Sequence, residues 1–243
     1  AVVIHDQRGH GESVKKNKDL GYLYNGGWNA LVEDMKDILE YARSILPDGL
    51  PVCVLGHSMG SMVARSYLKR YDSTINTLIL SGSPSDNPLK GRARVFASIC
   101  SALLGAHCRP KILHKKSFGE FNLAFRNEEF PNAWVCSDPD VQEAYHNDPL
   151  CNFRFTANGF KNLFLLMEDC YSVEGWEPQN PAVPVYFLSG AEDPCRVDDI
   201  SLENAVNNIK RAGYQRVTFK MYPKMRHEIL NEKDKQIRGV FNA

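Results

Sequence analysis

A serine hydroxyl is a weak nucleophile unless it is lifted clear of the backbone and given a base. Gly56-His57-Ser58-Met59-Gly60 supplies the first half of that arrangement. The pattern G-x-S-x-G marks a sharp turn from strand into helix, with the serine strained at its tip. Gly56 and Gly60 carry no Cβ, so neighbouring backbone can close on the turn. Met59 then presents its backbone N–H at a helix N-terminus, where the dipole favours a negatively charged oxygen. As a bare pentapeptide this could be a chance Gly/Ser turn; a buried strand before it and a helix after it argue otherwise. The base and its orienting acid come later in the order serine, acid, histidine. An apolar run over 183–188 empties into Ser189-Gly190-Ala191-Glu192-Asp193-Pro194, so two acids sit just past a strand. Asp193, in a turn stiffened by Pro194, is preferred to Glu192. Beyond it stands one histidine, His227, in Tyr222-Pro223-Lys224-Met225-Arg226-His227-Glu228. Such a set would carry out acyl transfer through a covalent acyl-serine.

The elements that must hold these residues follow from periodicity. Residues 1–4 read as the end of a buried strand, and 51–55 and 77–80 as further strands, each a short apolar run. Between them, 28–46 and 59–71 have apolar residues at helical spacing. Continuous apolar strands alternating with helices predict an α/β fold with a mostly parallel sheet and helices on both faces. From 84 to 181 the alternation stops, leaving helices at 92–107, 141–146 and 160–171 and no convincing strand. It resumes with strand 183–188, helix 200–212, strand 216–221 and a last helix beginning near Glu232. The expected organisation is a core made of 1–83 and 182–243, interrupted by a helical insertion at 84–181.

Composition narrows the classes. The chain has 243 residues with 43% hydrophobic and 24% charged, ordinary values for a globular protein. Lys+Arg and Asp+Glu both total 29, so the basic footprint of a nucleic-acid binder is absent. No apolar run is long enough for a membrane-spanning helix. Seven cysteines without C-x-x-C or zinc-ligand spacing favour a reducing, cytoplasmic compartment. Cys195 reads as an inert thiol, and His107 and His114, which flank Cys108, as solvated side chains. Lys15, Lys16 and Lys18 read as a solvated face.

Four segments together carry a family resemblance: Asp6-Gln7-Arg8-Gly9-His10-Gly11-Glu12-Ser13, Gly56-His57-Ser58-Met59-Gly60-Ser61, Gly190-Ala191-Glu192-Asp193-Pro194, and residues 222–232 around His227. The chain resembles an α/β-hydrolase of the monoacylglycerol lipase and lysophospholipase group. The resemblance implies Ser58 as nucleophile, Asp193 as acid, His227 as base and Met59 N–H as an oxyanion donor. It implies no metal and no organic cofactor, with a small acyl ester as substrate. It also makes 84–181 a helical cap over the acyl pocket. On helix 92–107, Val95, Phe96, Ile99, Cys100, Leu103 and Leu104 recur with a period near four, an apolar face that either packs on the core or touches lipid. Small soluble esters, amides or peptides are the rival substrates, and a catalytically impaired binding protein of the same fold is the rival class. His5 and His10 match a structural loop of the family. Strands one to three of the fold, and the loop supplying a second oxyanion donor, have no counterpart here. The expectation is therefore an N-terminally incomplete, poorly soluble and weakly active chain.

Overall fold

The computed structural model describes residues 1–233 together with Ile237, Gly239 and Val240. After loops and short turns, α1 (Gly27–Ile45) leads to β1 (Cys53–His57), α2 (Met59–Tyr71) and β2 (Thr77–Ser81). Four helices follow without a strand: α3 (Lys90–Leu104), α4 (Lys111–Phe118), α5 (Pro139–Asn147) and α6 (Ala157–Tyr171). The chain then returns to β3 (Val185–Gly190), α7 (Asp199–Arg211) and β4 (Val217–Tyr222).

The four strands lie in the order β1-β2-β3-β4, and every neighbouring pair is parallel. Parallel neighbours require the chain to cross back each time, so all four carboxyl ends meet at one edge of the sheet. Ser58, Gly82, Asp193 and His227 all follow those ends within a few residues. The register aligns Val54, Leu78, Val185 and Val217 in one row across the sheet. Leu78, Val185 and Val217 of that row are buried, with Met62, Val63 and Leu68 of α2 in the same core. On the opposite face Leu55 and Tyr186 remain exposed.

α6 belongs to this core as well. Thr156 caps it by accepting a hydrogen bond from the Gly159 amide. Phe160, Phe164, Leu166 and Met167 are buried at the spacing of one helix face and join the sheet-side cluster. A charged residue ties the layer together. Arg65 of α2 is fully buried; it donates to the Cys170 carbonyl at the end of α6 and to Asn208 of α7, with the Tyr171 ring 4.1 Å away. A cation suits that place, where α6 ends in carbonyls without helical partners.

The helix read over 59–71 has the same limits in the structure, and most other elements shift by one to three residues. α4 was not expected: Leu113 is its one buried residue, so it carries no apolar stripe to read. The strand expected over 1–4 does not form. Val2 and Ile4 are exposed, and a cavity of about 1000 Å³, lined on one side by Ala1, Val3 and His5, separates them from β1. Without a neighbour in hydrogen-bonding range an extended segment has no ladder to join. The last helix, expected from near Glu232, lies largely outside the described residues. No described helix is long and apolar enough to cross a membrane.

Candidate active site

Ser58 is the single residue between β1 and α2, and it turns the chain between them with φ 53° and ψ −122°. That conformation costs a non-glycine residue about 1–3 kcal/mol and persists only where its surroundings over-determine it. The surroundings do so here. The Ser58 amide donates to the Ser81 carbonyl at 3.0 Å, while the Ser61 amide and hydroxyl both donate to the Ser58 carbonyl. A Cβ on Gly56 would stand 2.5 Å from the Gly60 carbonyl oxygen, which is why this turn needs glycine. Met59 begins α2, so its N–H is one of the first-turn amides that no helical carbonyl can accept.

Asp193 and His227 meet at the same edge. Asp193 follows β3 and is buried, with the Cys195 amide donating to Oδ1 at 2.8 Å. His227, in the loop after β4 and also buried, has Nδ1 3.0 Å from both Asp193 oxygens. Burial alone would raise the Asp193 carboxyl; the adjacent His227 and the hydrogen bonds outweigh it and hold the group below its usual range. Glu192, the other acid of the turn, is exposed and has its carboxylate 3.8 Å from Arg226 Nε. Gly82, just past β2 with φ +54°, lets His227 sit this close, since a Cβ there would stand 3.0 Å from Nδ1. No hydrogen bond joins Ser58 Oγ to His227 among the described residues, a contact that often tightens only around a reacting group.

The His227 ring lies close to two other rings. His57, next to Ser58, is 4.6 Å away between centroids, and Trp134 is 5.0 Å away. Trp134 comes from the long segment between β2 and β3, and nothing in its local pattern marked it. Burial first, and then the neighbouring His227, push the His57 imidazole down to about 3, so it stays neutral beside His227 at ordinary pH.

Other histidines play parts in the loops. His10 donates through Nδ1–H to the Arg8 carbonyl and sits edge-on to Phe153 and Phe155. His107 is not simply solvated, as expected from sequence: Nε2 is 2.9 Å from Asp19, and the ring stacks on Tyr22 at 4.0 Å. The Cys195 thiol is buried and raised well above its usual range, so it resists forming thiolate. Asp193, Cys195 and His227 offer ligand atoms within 4.8 Å of one another. A metal bound there would have to break the Asp193–His227 pair. The large cavity beside β1 reaches His57 but neither Asp193 nor His227.

A family model described as "Serine aminopeptidase, S33" matches residues 1–234. The monoacylglycerol lipase of Mycolicibacterium smegmatis is 26% identical over 239 residues, covering 97% of this chain and 74% of the relative. Among solved structures, a thermostable carboxyl esterase from Bacillus coagulans in complex with glycerol aligns with TM-score 0.84 at 26% identity, over 97% of this chain and 76% of that one. A soluble variant of monoglyceride lipase from Saccharomyces cerevisiae, in complex with a substrate analogue, aligns with TM-score 0.67 at 18% identity, over 98% and 73%. At that identity the likeness is one of fold.

The His57 environment sets a pH dependence of stability. Unfolded, the imidazole takes a proton near its ordinary 6.5; folded, it does so only near 3. Between those values the unfolded state holds the extra proton, so stability must fall as pH falls, by about 1 kcal/mol per pH unit. His57→Gln should flatten that slope between pH 6.5 and 4 in urea-unfolding midpoints. An unchanged slope would show that His57 is not buried as a neutral ring.

Proposed function

The chain belongs to the serine aminopeptidase (S33) family, hydrolases of the α/β-hydrolase fold, and from that premise we propose that it cleaves carboxylic acyl esters with Ser58, His227 and Asp193. The observation that carries the reading is the buried Asp193–His227 pair, set at the same sheet edge as the strained Ser58. Asp193 accepts from Nδ1–H, which leaves Nε2 as the basic nitrogen. Ser58 Oγ attacks the ester carbonyl as Nε2 takes its proton, and the Met59 N–H donates to the oxyanion. Collapse expels the alcohol, which takes the proton back from the imidazolium that Asp193 stabilises. Water, deprotonated by the same nitrogen, then releases the acid and restores Ser58.

The substrate class we infer is a monoacylglycerol or lysophospholipid, and the segment 84–181, apart from core helix α6, serves as a cap over its acyl chain. The name of the Mycolicibacterium smegmatis relative supports the first part. On the outer side of α3, Val95, Phe96, Ile99, Leu103 and Leu104 are all exposed, a patch that fits contact with a lipid surface. Cys100, read from sequence with that face, is buried instead. Seven free thiols suit a cytosolic enzyme.

Two measurements test the proposal. Ser58→Ala should abolish hydrolysis of p-nitrophenyl butyrate and of a monoacylglycerol while leaving the melting temperature near wild type; turnover surviving in this variant would sink the mechanism. Leu103→Asp should weaken co-flotation with liposomes without lowering hydrolysis of the short soluble ester. Equal flotation of two folded proteins would remove the lipid contact and leave a hydrolase of soluble esters.

A further inference from the structure

Residues 125–137 reach the His227 loop from outside the sheet and are fastened to it at several points. Arg226, immediately before His227, is buried, and its guanidinium pairs with Glu128 through both Nη atoms. Nη1 also donates to the carbonyls of Ala133 at 2.6 Å and Cys136 at 3.1 Å, and the Phe125 ring lies 4.0 Å from the guanidinium carbon. A second carboxylate works from the opposite direction. Buried Glu232 accepts from the Arg226 amide at 2.7 Å and from the Ser137 amide and hydroxyl. Between these two anchors the backbones run side by side: the Glu228 amide donates to the Val135 carbonyl at 2.8 Å, and the His227 amide approaches the Trp134 carbonyl at 3.5 Å. Trp134 is thereby set beside His227, its ring tilted against the imidazole at 5.0 Å between centroids.

These contacts are more than packing needs. Gln142, also buried, donates to both Glu128 and the Cys136 carbonyl, so the Glu128 carboxylate is itself aimed. The Arg226 hydrogen bonds, outweighing partial burial, hold Glu128 below the usual carboxylate range, as expected of a carboxylate kept ionised for its partner. A planar guanidinium fork fixed at both Nη atoms leaves its backbone little freedom, and the next residue along that backbone carries the imidazole.

We infer that Arg226, held by Glu128, is a positioning residue that couples the placement of residues 125–137 to the orientation of His227. The pair touches no reacting atom. It sets the height and tilt of the imidazole through the adjoining peptide and places Trp134 beside the ring. Movement of residues 125–137 away from the sheet therefore disturbs the base. The inference rests on the proposed role of His227 as that base.

The test is steady-state kinetics of this chain on p-nitrophenyl butyrate, an ester too short to depend on acyl-chain contacts. Glu128→Gln keeps the shape of the side chain, and it should lower kcat about tenfold to a hundredfold, the scale of a misplaced catalytic group, with KM changed less than about twofold. Arg226→Lys should recover part of the kcat lost in Arg226→Met, since an ammonium can still meet Glu128 without the fork. A raised KM with kcat intact would assign residues 125–137 to substrate contact and overturn the inference, as would wild-type kinetics in Glu128→Gln. If Glu128→Gln fails to fold, Trp134→Ala decides: a loss in kcat supports the coupling, and an unchanged kcat refutes it. His227→Ala in the same assay separates the two claims. Should it remain active, the proposed function fails; should it be inactive while Glu128→Gln is unimpaired, only the positioning role does.

Discussion

The hydrogen bond between Asp193 and His227 is the constraint around which this sheet edge is organised. A carboxylate and an imidazole, both almost without solvent access, are stable together only if each meets the other's polar atoms. At 3.0 Å from both Asp193 oxygens, Nδ1 satisfies that demand, and the Cys195 amide satisfies Oδ1 further. Removing either partner would leave a buried polar group unpaired, a loss larger than the net worth of the bond itself. The pair also requires room. Gly82 provides it beside the ring, and Gly190 provides it where β3 passes the carbonyls of Met225 and Arg226. Gly82 is thus explained by His227 beside it, and Gly190 by the backbone of the loop that carries His227.

Topology brings the remaining parts within reach. A parallel sheet gathers every strand's carboxyl end on one side, so residues 135 and 169 positions downstream of Ser58 arrive beside it without any long excursion. This is the general reason that open α/β sheets carry their sites there. The crossover helices do the gathering, and buried Arg65, bonded to α6 and α7 from α2, fixes three of them against one another. The helix-rich stretch between β2 and β3 contributes in two ways. α6 joins the core, and residues 125–137 cross over to the His227 loop.

Much of this was legible in the residues. The strand-turn-helix context of Ser58, the acid after the β3 run and the lone downstream histidine are local patterns with local physical causes. Asp193 and Glu192 could not be separated so firmly, because both occupy one turn; in the structure the first is buried against His227 Nδ1, and the second is exposed, 3.8 Å from Arg226. Helices with a continuous buried stripe, such as α2 and α6, were readable, whereas α4 buries only Leu113 and left no signal. The reading of 1–4 as a strand failed because an apolar run shows that a segment could be buried, not that a partner edge lies beside it. Trp134, Glu128 and Glu232 were invisible for a further reason. Their meaning lies in contacts across about a hundred residues, and no spacing rule reaches that far.

In the proposed mechanism the buried Asp193–His227 pair makes Ser58 a nucleophile. The most direct test is the second-order rate at which a fluorophosphonate labels Ser58, with the modified peptide identified by mass spectrometry, in wild type and in Asp193→Asn. The substitution keeps the size of the side chain but presents the wrong partner to Nδ1, and in serine hydrolases such a change lowers turnover by about 10⁴. Labelling is expected at Ser58 and should slow by about 10³ or more in Asp193→Asn. Labelling that falls elsewhere, or a rate at Ser58 within about threefold of wild type, would contradict that mechanism.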